Sequence, residues 1–91
     1  MRVKWTKPAA KSLEKIQDYI ARDKPRAAFE VAQKIRHATE QLRDHSKLGR
    51  EGRVLGTYEL VIFGLPYIVA YRVKSKEVHL LSVYHTSRKW P

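Results

Sequence analysis

Close to residue 49 the spacing of apolar side chains changes from steps of three and four to steps of two, and this switch restricts the fold more than any other feature. Before it, Ala9, Leu13, Ile16 and Ile20 form one stripe, and Ala28, Val31, Ile35, Ala38 and Leu42 form another, flanked by Phe29 and Ala32. Both stripes have the period of an amphipathic helix. After it, Thr57 to Phe63, Tyr67 to Val73 and Glu77 to Val83 are rich in aromatic and β-branched residues. Turn chemistry at Gly64-Leu65-Pro66 and Lys74-Ser75-Lys76 separates them, so the spacing predicts three strands. Val3 and Trp5, alternating with Arg2 and Lys4, predict a short strand ahead of the helices.

Local signals set the helix ends. Thr6 is placed to cap the first helix with Pro8 in its first turn, and Asp23 to cap the second with Pro25 just inside it. The connector between the helices is a few residues long, which predicts an antiparallel hairpin. Short turns between the later strands predict a three-stranded antiparallel meander. Gly49 and Gly52 bracket a segment read as a basic loop, Lys47 to Arg53. Neither the hairpin nor the sheet can bury its apolar side alone. The predicted architecture is therefore α+β: an N-terminal strand, a helix hairpin and a meander, with the helices on one face of the sheet.

At 91 residues and 43% hydrophobic content the chain has material for one modest core, a single domain over 1–91. There is no cysteine, so disulfides, thiolate metal sites and cysteine nucleophiles are excluded, which fits a reducing cytoplasm. No apolar run approaches the ~20 residues of a membrane span, and the segment Met1 to Trp5 lacks the apolar stretch of a secretion signal. The expectation is a soluble cytoplasmic protein without a membrane partner. Nineteen Lys and Arg against nine Asp and Glu give a net charge of +10. Such an excess attracts polyanions in a salt-dependent way.

Gly49, Gly52, Gly56 and Gly64 fit neither the Walker nor the dinucleotide spacing, and the four histidines lack metal-ligand spacing. No cofactor or metal is expected. A set of cations remains: Arg50 and Arg53 before the meander, Arg72 within it, and His85, Arg88 and Lys89 after it. They fit either a concave site, with arginines gripping phosphate and a histidine moving a proton, or solvated charges guarding a sheet edge. Tyr84 and Trp90 are candidates for stacking on a base or a partner. Glu59 fits either a general base or the cross-strand partner of a nearby arginine, and the second is the reading carried forward. No aromatic pair has the spacing of an RNA-recognition sheet.

The order strand–helix–helix–meander, with the segments GREGRVLGTYEL (49–60), PYIVAYRV (66–73) and VYHTSRKW (83–90), resembles the RelE/ParE superfamily of bacterial toxins. The resemblance implies a toxin of a type II toxin–antitoxin module, neutralised by an acidic, partly disordered antitoxin. It also implies one of two targets. RelE-like members are endoribonucleases that cut mRNA on the ribosome, and ParE-like members poison DNA gyrase. By position, His85 matches a histidine that acts in catalysis in some nuclease members. In the same way Arg53 and Arg88 match their phosphate-binding cations, with Arg50, Arg72, Lys89, Tyr84 and Trp90 as further nucleic-acid contacts. The expectation carried forward is ribosome-dependent mRNA cleavage without metal, His85 protonating the leaving oxygen. The alternative is non-catalytic gyrase inhibition. One departure is evident: Tyr67 stands where nuclease members carry an arginine.

Overall fold

The computed structural model describes all 91 residues. Strand β1 (Arg2–Trp5) leads into helices α1 (Lys7–Ala21) and α2 (Pro25–Glu40), and a short 3₁₀ turn (Gln41–Arg43) ends the helical half. Strands β2 (Arg50–Glu51), β3 (Tyr58–Val61), β4 (Tyr67–Lys74) and β5 (Glu77–His85) complete a sheet of order β1-β5-β4-β3-β2. The α+β architecture and the antiparallel meander β3–β4–β5 are as expected. The sheet, however, has five strands. β1 adds to it in parallel with β5, and the segment read as a basic loop supplies β2 at the far edge.

Thr6 performs the capping role that its position suggests. Its hydroxyl oxygen accepts the N–H of Ala9 at 3.3 Å and donates to the carbonyl of Leu80 at 2.6 Å, tying the start of α1 to β5. Asp23 does not cap α2. The cap position falls on Lys24, no side chain bonds there, and Pro25 opens the helix without needing a partner for an N–H. Thr6→Ala is expected to cost about 1–2 kcal/mol, because it removes a cap and a buried tie together. Urea denaturation measures this, and Thr6→Ser should recover most of the loss.

The core lies between the hairpin and one face of the sheet. Ala9, Leu13, Ala32, Ile35 and Leu42 meet Leu60, Val69, Tyr71, Val78, Leu80 and Val83 there. The buried positions of β5 change phase along the strand: Val78 and Leu80 are even-numbered, and Val83 is odd. A bulge causes the change, since Ala70 pairs with Ser82 while its neighbour Tyr71 pairs with Leu80, leaving Leu81 as the extra residue. The edge of β5 beyond Leu80 outruns β1, which ends at Trp5. There α1 takes over the role of a neighbouring strand. The Ser12 hydroxyl accepts the Val83 N–H at 2.8 Å and donates to the Ala9 carbonyl at 2.9 Å.

Candidate functional site

Because strand residues alternate between faces, the bulge decides which residues reach which side of the molecule. Val83 faces the helices, so Tyr84 faces away from them and His85 faces back. The pairing of Tyr67 with His85 agrees, for their rings meet edge to face at 5.6 Å. The two faces carry different chemistry.

The open face, away from the helices, is built on Ile68 and Ala70, which are buried yet stand apart from the main core. Glu59 lies beside Ala70, and Arg50 of β2 lies beside Glu59. The Arg50 Nε–H donates to Glu59 Oε1 at 2.9 Å, so Glu59 is the cross-strand partner that the sequence suggests. Burial holds the Tyr84 phenol above its ordinary range. The Glu59 carboxylate raises it further, and the charges of Arg50 and Arg53 pull it down. Tyr84, Glu59, Arg50 and Arg53 thus share one neighbourhood. Arg72 belongs at its end. The Gly52 N–H donates to the Thr57 carbonyl at 2.8 Å, and continuing the β3–β4 register beyond Tyr58 and Tyr71 brings Thr57 abreast of Arg72.

His85 is not part of that neighbourhood. It pairs with Tyr67, and Arg72 lies five residues further along β4, about 16 Å away at ~3.3 Å per residue. His85 instead lines a cavity of about 600 Å³ between α1 and the end of β5, and Arg53 is absent from that lining. Helix α1 contributes Ser12, Lys15, Ile16 and Tyr19, while Tyr67 and Arg88 stand across from it. The Ser87 N–H donates to His85 Nδ1 at 3.0 Å, which leaves the proton of the neutral ring on Nε2. Tyr67 is raised above the ordinary tyrosine range by burial, then by the neighbouring Tyr19, so its phenol keeps its proton.

The single basic pocket expected from the sequence is therefore two sites on opposite faces. Arg50, Arg53 and Arg72 sit on one, His85 and Arg88 on the other, and Tyr84 borders both, its phenol near Glu59 and Arg50 while the residue also lines the cavity. Beyond Arg88, Lys89 is exposed and Trp90 half-buried. The sequence did not mark Lys15 as a site residue, and beyond its place in a strand it marked Tyr67 only as standing where nuclease members carry an arginine. The signal for the second site was the helical spacing of Ser12, Ile16 and Tyr19 beside Lys15.

Residues 3–90 match the family described as ParE toxin of type II toxin–antitoxin system, parDE. The chain is 40% identical over 90 residues to Y4kP of Sinorhizobium fredii, a protein named as a toxin, spanning 99% of this chain and 93% of that one. It is 30% identical over 86 residues to toxin RelE2 of Caulobacter vibrioides, with 94% and 96% covered. A solved chain of the chromosomal ParDE toxin–antitoxin system from P. aeruginosa superposes with a TM-score of 0.86 at 30% identity, covering 93% of this chain and 95% of that one. Matched along nearly its whole length in sequence and in fold, the chain belongs to the ParE toxin family of type II toxin–antitoxin systems, within the RelE/ParE superfamily.

Proposed function

We infer that this toxin arrests growth by binding DNA gyrase through the open face of its sheet, and that it does not cut RNA. The phase change in β5 carries the reading. It directs Tyr84 to the open face and His85 to the helix side, so the His85 imidazole is separated from Arg50, Arg53 and Arg72, while His79, which does pair with Arg72, is engaged by Glu77 at 3.1 Å. Cleavage of RNA without metal needs an acid, a base and positive charge converging on one phosphate. Binding needs only a face of complementary shape and charge, and the ParE resemblance agrees with that requirement.

The grouping of Tyr84, Glu59 and Arg53 favours a second reading, a ribosome-dependent ribonuclease centred on the open face. In it Glu59 would take the proton of the attacking 2′-hydroxyl and Tyr84 would protonate the leaving oxygen. Two features weigh against it. Glu59 Oε1 is already occupied by Arg50, and a phenol pushed above its ordinary range is a poor acid at neutral pH. Purified toxin is expected to block gyrase supercoiling at micromolar concentration and to leave mRNA intact on translating ribosomes. Cleaved mRNA together with unaffected supercoiling would overturn the assignment in favour of the second reading.

A further inference from the structure

The open face continues past Arg72 to the β1 edge of the sheet, and that end carries a pattern of its own. Val3, Trp5, Tyr71, Val73, Val78 and Leu80 turn toward the helices, so the residues between them face the other way. On β1 these are Arg2 and Lys4, on β5 Glu77 and His79, and on β4 Arg72 and Lys74. The register aligns them in two rows, Arg2–Glu77–Lys74 and Lys4–His79–Arg72. Along the strands, a column of two cations on β1 and another on β4 therefore flank the Glu77–His79 pair. All four cations are exposed. Lys4, Arg72 and Lys74 form no ion pair, and Arg2 meets Glu77 only at 3.9 Å with its side chain 80% exposed.

Neighbouring strands lie ~4.8 Å apart, which sets the two columns about 9.6 Å from each other, and the cations within a column stand about 6.6 Å apart. Lysine and arginine stems add several ångströms of reach, so the columns can straddle a DNA major groove of about 12 Å. Glu77 decides between one phosphate track and two. Its hydrogen bond with His79, 3.1 Å long, holds the carboxyl below the ordinary value of 4.5 against the opposing effect of desolvation, and Lys4 and Arg2 add to the lowering. Glu77 is thus charged at neutral pH. A single strand laid over the middle of the patch would bring its phosphates onto that carboxylate. Two backbones, one over each column, avoid it and leave Glu77 facing the groove, where base edges offer N–H donors. No tyrosine, tryptophan or phenylalanine faces out among these rows to stack an unpaired base, and no apolar side chain is there to enter a bilayer.

We propose that Arg2 and Lys4 on β1, with Arg72 and Lys74 on β4, bind the two phosphate backbones of a DNA duplex across its major groove. An RNA duplex is not the match, because its major groove is deep and narrow. The inference rests on the reading of the open face as the target surface and deepens it. The sheet then meets both components of the target: the gyrase protein toward Arg50 and Arg53, and the DNA on which gyrase acts at the β1 end.

The probe is a short fluorescent DNA duplex, titrated with the full-length toxin in the absence of gyrase and read by anisotropy. Four phosphate contacts at ~0.9 each predict that log affinity falls with log salt at a slope of about −3.6. Lys4→Gln/Lys74→Gln takes one cation from each column; both positions are exposed, and a urea midpoint checks the fold. This variant is expected to bind the duplex roughly tenfold more weakly at low salt, with the slope reduced by about 1.8. Lys7→Gln/Arg26→Gln removes the same charge from the exposed starts of α1 and α2 and should leave the slope unchanged. Equal losses in the two variants overturn the proposal, as does a parent that binds the single strand or phosphatidylserine vesicles as tightly as the duplex. A parent that does not bind the duplex at all overturns it too, and leaves the gyrase reading standing. A toxin that holds the duplex through these columns yet spares supercoiling overturns the gyrase reading alone.

Discussion

Truncation of Tyr71 to alanine is expected to lower the unfolding free energy by about 3–5 kcal/mol, the range for deleting a buried aromatic ring. The ring is fully buried, stacks on Tyr58 at 5.4 Å between centroids, and belongs to the core that joins sheet and hairpin. Its hydroxyl accepts the Gly49 N–H at 2.9 Å, which anchors the chain just before β2. Tyr71→Phe separates the two contributions. It keeps the ring but leaves the Gly49 N–H without its acceptor, at a cost of about 1–3 kcal/mol. Gly49 is equally constrained, since a Cβ there would lie 2.8 Å from the Glu59 carbonyl oxygen and 2.9 Å from the Tyr71 ring. Urea denaturation of the two tyrosine variants gives both numbers. Equal losses would show that the hydroxyl carries the whole effect and the packing none.

The same phenol makes stability depend on pH at the alkaline end. Burial raises Tyr71 above the ordinary value of 10.0, and Tyr67 and Tyr84 are raised as well. A raised native value means that the unfolded chain ionises first. The stability from these phenols is therefore complete below pH 10.0 and is lost as the pH climbs through the native values. Melting temperature should fall more steeply above that pH than in Tyr71→Phe.

What was legible in the sequence was local. The switch in apolar period marked two helices and a meander, Thr6 marked a cap, and Glu59 marked a cross-strand partner. What was not legible depended on pairing between distant segments. Arg50 and Glu51 form a strand only because β3 offers them an edge, and two exposed charged residues have no apolar period to betray it. Likewise β1 could not be placed beside β5 from its own four residues, since a parallel neighbour is set by the whole crossover. The bulge had the largest functional consequence. The run Leu80-Leu81-Ser82-Val83 fits either phase of a strand, and one extra residue exchanges the faces of Tyr84 and His85. For that reason the sequence suggested one cationic pocket and the fold makes two sites.

Under the proposed gyrase reading, reversing charge on the open face is expected to raise the toxin concentration needed to block supercoiling by at least tenfold, which is about 1.4 kcal/mol of lost binding. The variant is Arg53→Glu/Arg72→Glu. Both side chains are exposed and unpaired, so the change removes target attraction without leaving a buried carboxylate alone. The control must change total charge equally, because a +10 molecule is drawn to any polyanion. Lys7→Glu/Arg26→Glu does so at the starts of α1 and α2, on exposed positions where an acid also favours the helix end. Supercoiling titrations at low and moderate salt then distinguish a face from a field. Loss confined to the first pair, persisting as salt screens long-range attraction, identifies the open face as the contact surface. Equal losses that vanish with salt would mean that net charge alone draws the toxin to its target, and the open face would have no special part in it.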